Sequence, residues 1–185
     1  MNRGEENYRR FLNGEDQGIV EIIKEYKDAL IFFLNSYVHN IHVAEDLAED
    51  VFFHLVTKKP KYLPNFSFKT WLFTIARNRA INTLRRKTKL VSYDSIEFKN
   101  LEHEQLDIEK AYIKKEDKIQ LHHAIQKLSP QYSEVLYLAY FELLSVDDIS
   151  HITKKTIKQV NNLLYRAKIS LKKQLVKEGF EYEEL

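Results

Sequence analysis

Residues that break helices are scarce along this chain, and that scarcity constrains its fold more than any other feature. Only four glycines and three prolines occur in 185 residues, and tight turns depend heavily on both residue types. Lysine, glutamate, leucine and isoleucine are abundant, and most of these residue types favour helices. The sequence therefore predicts an all-α protein with few tight turns.

The composition also excludes several classes of protein. A hydrophobic fraction of 44% is enough to bury cores, and 185 residues allow one large or two small domains. No cysteine is present, so we expect neither a disulfide framework nor a thiolate metal site. The first residues lack a signal-peptide pattern, and apolar runs such as Ala29–Leu34 are far shorter than the roughly 20 residues that cross a bilayer. We expect a cytoplasmic protein without membrane insertion.

Apolar residues at spacings of three and four predict the helices of the first half. One helix is predicted over Gln17–Val38 and a second over Val43–Thr57. Two prolines then bracket a loop over Lys58–Asn65, and a third helix follows over Ser67–Lys89 with its serine as the cap. Residues 1–14 are polar with a glycine near each end, and we expect them to fray.

The predicted second helix carries a run of carboxylates on its outer face. Catalytic carboxylates normally lie in a concave pocket, and no histidine stands here at metal-ligand spacing. A carboxylate-dependent nuclease is therefore the weakest interpretation, and the alternatives are a docking face for a basic partner or a plain solvated surface. The four acidic residues are Glu45, Asp46, Glu49 and Asp50.

The stretch Lys58–Lys89 holds ten basic residues and no acidic one, with several aromatic residues among them. Cations neutralise phosphates and aromatic faces stack on unpaired bases, so the stretch indicates a nucleic acid partner. A solvated basic helix over a core is the alternative. Along the predicted helix, one stripe combines carboxamides, which can read base edges, with cations. Its members are Trp71, Asn78, Asn82, Arg85 and Lys89.

A second group of helices is predicted beyond a segment without a steady period, residues 90–115, which indicates a tether. Two capping-box patterns, which begin at Ser145 and Thr156, then predict a short helix, a turn and a longer basic helix. This arrangement is a helix-turn-helix. Its inward residues are Ile157, Val160, Leu164, Ala167 and Leu171, and its outward, groove-reading residues are Lys158, Asn161, Asn162, Tyr165 and Arg166.

The motifs of several enzyme classes are missing from the sequence. It contains no phosphate-binding glycine loop, no nucleophile elbow and no H-E-x-x-H metal motif. The histidines lack companions at the spacing that zinc needs, so we expect them to be surface or boundary residues. The prediction is a protein that is not an enzyme and needs neither a metal nor a cofactor.

Two ordered sets of residues resemble the conserved domains of bacterial extracytoplasmic-function sigma factors, a group of the sigma-70 family. The first set is Ala44–Phe52, Phe68–Asn78 and Leu84–Arg86, and the second is Leu128–Tyr132, Val135–Leu136 and Val160–Lys168. The resemblance implies two small helical domains joined by a tether, the second containing the helix-turn-helix. We expect a first sigma domain over 1–90, a linker over 91–117, a second sigma domain over 118–178 and an acidic tail over 179–185.

The resemblance implies a transcription initiation factor that joins core RNA polymerase, recognises promoters and opens them. By match with the family, each set of residues receives a role. Those implied to dock on the polymerase are Asp46, Leu47, Glu49 and Asp50. Those implied to contact the opened near promoter element are Tyr62, Phe66, Asn78, Asn82, Arg85 and Arg86. Those implied to recognise the distal promoter element are Lys158, Asn161, Asn162, Tyr165 and Arg166.

The implied partners are core RNA polymerase, promoter DNA as duplex and unwound strand, and a membrane-linked anti-sigma factor; the free chain is expected to be a monomer. Three positions depart from the family's usual pattern. Glu49 replaces a glutamine, Lys154 replaces the glycine of the turn, and Asn161–Leu163 replaces a basic-serine-basic triplet. The alternative function is a standalone helix-turn-helix regulator, which would leave the acidic helix unexplained.

Overall fold

A computed structural model describes residues 3–87, 121 and 123–178, and every regular element within these residues is helical. The all-α prediction is therefore confirmed. The helices of the first domain are α1 (Arg3–Leu12), α2 (Gln17–Val38), α3 (Ile41–Lys58) and α4 (Phe68–Lys87). The second domain has a short helical stretch over residues 123–126, then α5 (Pro130–Leu136), a π-helical turn (Tyr137–Phe141), α6 (Val146–Thr153) and α7 (Ile157–Lys177). The predicted tether over 91–117 and tail over 179–185 lie outside the described residues.

The expectation that the first residues fray is wrong, because they form α1. Gly4, Tyr8 and Phe11 lie on its buried face. A Cβ atom at position 4 would come within 2.5 Å of Phe68 Cδ1, and one at Gly18 would come within 2.2 Å of the Asn7 carbonyl oxygen. Two glycines therefore permit the close approach of α1 to α2 and α4. The spacing of Gly4, Tyr8 and Phe11 along α1, by four and then three residues, was the signal of a buried helix face in the sequence.

The first domain encloses its core between α2, α3 and α4. Phe33, Leu55 and Phe73, one from each helix, are completely buried. The sharp turn between α2 and α3 is formed by two adjacent residues. His39 adopts a left-handed backbone with φ of 49°, and the Asn40 side chain accepts a hydrogen bond of 3.2 Å from the Val43 amide. These two residues end one helix and start the next, which fixes the outward direction of the acidic face.

The second domain has its own core, and the first domain packs against it. Val135, Ile149 and Val160 are completely buried within the second domain. Helix α6 lies against α4, and α5 lies against α2. The two small helical domains are thus in direct contact, with the helix-turn-helix facing the start of α4.

Candidate nucleic-acid and polymerase interfaces

The carboxylates of α3 form an exposed face, as predicted. Asp46 and Glu49 are exposed, and Asp50 lies 3.9 Å from the Arg79 guanidinium of α4. The Leu47 side chain, by contrast, is 5% exposed and belongs to the core. The large exposed apolar side chains on this part of α3 are Phe53, at 67%, and Val56, at 41%. The face therefore combines negative charge with two apolar side chains, and Leu47 supports it from the core beneath.

A groove of about 400 Å³ separates α3 from α4. The structure brings Asn78 and Asn82 of the predicted stripe together on its α4 wall, but Arg86 stands there in place of the stripe's Arg85. Arg85 is exposed nearby in sequence, and Lys89 lies outside the described residues. His54 lies on the opposite wall, where partial burial and the cations Arg79 and Lys58 lower the pKa of its imidazole. The groove offers amide and guanidinium donors to a strand of nucleic acid.

Trp71 does not continue this stripe as an open stacking surface. Its ring centroid lies 5.2 Å from that of Tyr8 and 5.4 Å from that of Tyr62. The Tyr62 ring also packs at 5.8 Å from Phe68, and its hydroxyl donates a 2.6 Å hydrogen bond to the Phe66 carbonyl oxygen. Burial raises the pKa of Tyr62. Tyr62 therefore stabilises the loop between α3 and α4, and its ring packs on other side chains rather than lining an open pocket.

Helix α1 braces the same loop from the other side. The Tyr8 hydroxyl donates a hydrogen bond of 2.7 Å to the Pro60 carbonyl oxygen, 52 residues away in sequence. Burial raises the pKa of Tyr8 to about 12. The Lys59 ammonium lies 4.9 Å from the centroid of the Phe11 ring. The conformation of the loop thus depends on a helix to which the sequence analysis gave no structure.

The helix-turn-helix is present as predicted. In both capping boxes the side chain of the cap, Ser145 or Thr156, accepts a hydrogen bond from the backbone three residues later. Lys154 ends α6 in the left-handed region with φ of 56°. That conformation suits glycine best, which explains why a glycine usually stands here in the family and shows that lysine can adopt it.

The outer face of α7 agrees with the prediction at most positions. Lys158, Asn161, Asn162 and Arg166 are exposed. Tyr165 is only half-buried but its hydroxyl is enclosed, so its aromatic edge alone can reach a partner.

The prediction that Ile157 faces inward is wrong. Its side chain is 51% exposed, whereas Val160 and Ala167 are completely buried. The reason is geometric: Ile157 is the first residue of α7, next to its Thr156 cap, so it extends beyond the short α6 that covers the rest of that stripe. An exposed apolar residue thus occupies the first position of the recognition helix.

Two buried carboxylates join the domains, Glu134 through Arg77 and Glu142 through Lys69, and the sequence analysis singled out neither. Glu134 of α5 accepts hydrogen bonds from the Tyr37 hydroxyl and from Arg77 Nε, the latter at 2.5 Å. Burial opposes the charge of Arg77, but Glu134 and Tyr37 outweigh it and raise the pKa of the guanidinium. Burial and then Glu134 raise the pKa of Tyr37 well above its ordinary value. No local sequence pattern marks this pairing, because its members lie on different domains.

Comparison with known proteins agrees with this architecture. The family model for sigma-70 region 2 matches residues 22–90, and that for sigma-70 region 4 matches residues 118–171. The RNA polymerase sigma factor YlaC of Bacillus subtilis (strain 168) is 29% identical over 160 residues, which cover 86% of this chain and 92% of YlaC. The ECF RNA polymerase sigma factor SigW of the same organism is 26% identical, with coverage of 88% and 91%. The chain belongs to the extracytoplasmic-function group of the sigma-70 family.

Solved structures share the fold. The structure of CnrH in complex with the cytosolic domain of CnrY superposes with a TM-score of 0.67 at 16% identity, covering 95% of this chain and 99% of that one. The sigma factor RpoE of Bartonella quintana, in complex with the anti-sigma factor NepR, gives a TM-score of 0.63 at 22% identity, with coverage of 84% and 95%.

Within the described residues, no helix is long and apolar enough to span a bilayer.

Proposed function

We propose that this chain is an alternative sigma factor that binds core RNA polymerase, recognises a two-part promoter and opens it. One observation carries the proposal. A single domain presents an exposed acidic face on α3 and, across a groove, the amides and guanidinium of α4. An acidic face repels DNA, so this domain needs a second, basic partner beside the nucleic acid. A standalone duplex-binding regulator offers no such partner.

The first domain, residues 1–90 in our assignment, holds the polymerase and the near promoter element. Asp46, Glu49 and Asp50 offer charge to a basic surface of core polymerase, and Leu47 holds the helix that carries them. On the other side of the groove, Asn78 and Asn82 contact the opened strand. Arg85 and Arg86 neutralise its phosphates, and Phe66 offers a face to an unpaired base in the loop that Tyr62 braces.

Opening the promoter in this way needs no chemical step. Extruding a base from the stack costs a few kcal/mol, and stacking on an aromatic ring returns roughly 1–3 kcal/mol per base, to which phosphate contacts add. The protein therefore acts through binding energy alone, as an initiation factor rather than an enzyme.

The second domain, residues 118–178, reads the distal element as duplex. Its recognition helix α7 offers Lys158 to the backbone and Asn161, Asn162 and Arg166 to base edges, with the ring edge of Tyr165 beside them. A well-placed amide or guanidinium on a base contributes about 1–3 kcal/mol of discrimination. Residues 91–117 are proposed to link this domain to the first, with 179–185 as a tail.

We further propose that the factor works in the cytoplasm, beside RNA polymerase, and is a monomer until it binds a partner. An anti-sigma factor is the proposed regulator, since one solved neighbour with the same fold is a sigma factor bound to the anti-sigma factor NepR.

Transcription in a purified system tests the proposal. The protein is mixed with core polymerase and a library of genomic promoters, and the transcripts are sequenced. We expect initiation at a defined set of sites that share two elements, only when both proteins are present. Tight duplex binding by the chain alone, without specific initiation, would instead favour the standalone regulator.

A single substitution tests the docking face. Asp46→Arg reverses one charge on an exposed position, so we expect the loss of core binding with unchanged helical content and thermal stability. Glu15→Arg, at another exposed acid of the first domain, is the matched control and should bind core normally. Equal core affinity for the Asp46→Arg variant and the unsubstituted protein would refute the docking assignment.

A further inference from the structure

One apolar side chain is exposed at the start of the recognition helix. Ile157 is 51% exposed, whereas Val160, three residues later, is completely buried. Among residues 157–166 the other exposed side chains are polar or basic, namely those of Lys158, Gln159, Asn161, Asn162 and Arg166. An isolated exposed isoleucine is common on protein surfaces, so its exposure alone indicates no function. Its place among side chains proposed to read bases distinguishes Ile157 from Val176, which is 58% exposed near the other end of α7.

The backbone around Ile157 is held by hydrogen bonds on both sides. In the capping box, the Thr156 amide donates to Gln159 Oε1 at 2.8 Å and the Gln159 amide donates to Thr156 Oγ1 at 3.2 Å. In the preceding turn, the Ser150 hydroxyl donates a hydrogen bond of 2.6 Å to the Lys155 carbonyl oxygen. The branched Cβ atom of isoleucine further restricts its rotamers. Ile157 therefore presents a fixed apolar surface, so contact with a partner costs little conformational entropy.

Helical geometry places Ile157 beside Asn161. Residues four apart on an α-helix are neighbours on the same face, with Cβ atoms about 5–6 Å apart. Asn161 is exposed and is one of the amides proposed to read the distal element. The N-terminal residues of a recognition helix are those that contact base edges in the major groove. With α7 in the groove, Ile157 therefore lies at the base pair that Asn161 reads or at the next one.

The charge of α7 favours duplex DNA as the partner of this surface. The helix carries six basic residues and no acidic one, so it attracts the phosphates that flank the major groove. Among the four bases, thymine offers an apolar group there, its C5-methyl, while the other edges present polar donors and acceptors. A thymine methyl thus matches both the charge of the helix and the exposed isoleucine.

We propose that Ile157 is a specificity residue that contacts the C5-methyl of one thymine in the distal promoter element. That thymine lies within one base pair of the position read by Asn161, whose amide suits adenine, the base that pairs with thymine. The inference rests on the proposed function in one respect, the binding of α7 in the major groove of duplex DNA.

Removal of a single methyl group from the DNA tests the contact. Deoxyuridine replaces each thymine of the distal element in turn, which removes the C5-methyl and keeps the base pairing. The duplex is a promoter found in the transcription screen, and its binding by the polymerase-bound factor is measured by fluorescence competition. We expect one replacement to weaken binding about fourfold, as the burial of one methyl-sized group predicts, and the others to have no effect. Unchanged affinity at every thymine would overturn the inference.

Variants of Ile157 show whether this side chain contacts the methyl. Ile157→Ala should no longer distinguish thymine from deoxyuridine at the sensitive position, because the apolar partner of the methyl is gone. Ile157→Val keeps a branched apolar side chain and should retain the discrimination. Val176→Ala removes a comparably exposed apolar side chain from the same helix and is the matched control. Sensitivity to deoxyuridine that persists in Ile157→Ala would assign the methyl contact to another residue and overturn the inference.

The place of the sensitive thymine is a separate test. Asn161→Ala should relax the base preference at one position of the distal element, and the thymine that responds to deoxyuridine should lie within one base pair of it. A responding thymine farther away would contradict the contact with Ile157. The deoxyuridine series with the unsubstituted protein does not depend on the folding of any variant.

The two proposals can fail separately. If the protein initiates transcription with core polymerase, but no deoxyuridine weakens binding, then the sigma-factor function stands and the methyl contact falls. The same competition assay is run with the chain alone on duplex DNA. If the chain initiates nowhere but binds duplex by itself with the expected dependence on one methyl and on Ile157, then the methyl contact stands and the sigma-factor function falls.

Discussion

The two faces proposed to contact DNA differ in how the free chain presents them. On the recognition helix α7, Asn161, Asn162 and Arg166 are exposed to solvent. On the first domain, Phe66 is stacked on His151 and Arg77 is bound to a buried carboxylate. The two amides of the duplex-reading face are thus exposed before the protein meets any partner, whereas the Phe66 ring of the strand-reading face is occupied.

The difference matches the order in which the two DNA forms arise. Duplex DNA is present before polymerase acts, and an unpaired strand exists only after opening begins. An open strand-reading face with the Phe66 ring available would stack on the bases of any single strand, because stacking depends little on sequence. In the structure the second domain covers this ring, while Asn78 and Asn82 line the groove between α3 and α4.

The largest expected effect concerns the contact between the two regions. Glu134→Ala leaves Arg77 and Tyr37 at a buried site without their acceptor, and breaking a buried ion pair typically costs about 3–5 kcal/mol. We expect urea unfolding monitored by circular dichroism to show a loss of that size or a separate early transition as the domains part. Glu15→Ala, at an exposed pair, should show no measurable change. An equal effect of the two substitutions would mean that the contact is not specific.

The next effect concerns the face that the free chain leaves exposed. Asn162→Ala removes a base-reading amide, so we expect about 1–3 kcal/mol less discrimination at one position of the distal element. Stability should not change, because the side chain is exposed. Promoter variants tested with the polymerase-bound factor measure the discrimination. Lys173→Ala on the exposed side of the same helix is the control, and a uniform loss across sequences with Asn162→Ala would argue against base reading.

A smaller effect concerns the brace that holds the strand-reading loop. Tyr8→Phe removes only the hydrogen bond to the Pro60 carbonyl oxygen, so we expect the free energy of unfolding to fall by about 0.5–1.5 kcal/mol. The rate of promoter opening should fall as well, while duplex binding by α7 is unchanged. Thr57→Ala, which removes an exposed hydroxyl that bonds within α3, is the control. Normal opening kinetics in Tyr8→Phe would exclude a positioning role for this contact.

The smallest effect concerns the groove of the first domain. Burial, Arg79 and Lys58 lower the pKa of His54, so the folded protein holds this imidazole neutral more strongly than the unfolded chain does. The resulting stabilisation is present above the ordinary histidine pKa of about 6.5 and is lost as pH falls through the folded value. An NMR titration should show a lowered pKa that rises in Arg79→Gln. If the substitution left the pKa of His54 unchanged, the charge of Arg79 would not be one of the causes of the shift.

The helices and the exposed faces could be predicted because they depend on local patterns. Spacings of three and four located α2 to α4, and the Thr156–Gln159 capping box located the start of α7. The exposed carboxylates of α3 and the amides of α7 followed from the same periodicity. Amphipathic spacing fixes which side of a helix is buried without reference to the rest of the chain.

The errors arose where distant residues decide the structure. Helix α1 looked too polar to be ordered, yet Gly4 and Gly18 allow it to approach α2 and α4 closely enough to bury Tyr8. Ile157 fitted the apolar rhythm, but nothing from the short α6 reaches its side chain enough to bury it. The pairing of Arg77 with Glu134 joins residues 57 positions apart on separate domains, and no local pattern could reveal it.

Promoter opening on core polymerase measures the proposed division between the two faces most directly. Potassium permanganate detects unpaired thymines, and a footprint of the distal element detects duplex binding in the same complex. With the unsubstituted protein we expect reactive thymines at the near element. With Asn78→Ala we expect the distal footprint to remain while reactivity falls at least tenfold. Equal losses of footprint and reactivity, or no opening with the unsubstituted protein, would contradict the assignment of strand and duplex to separate faces.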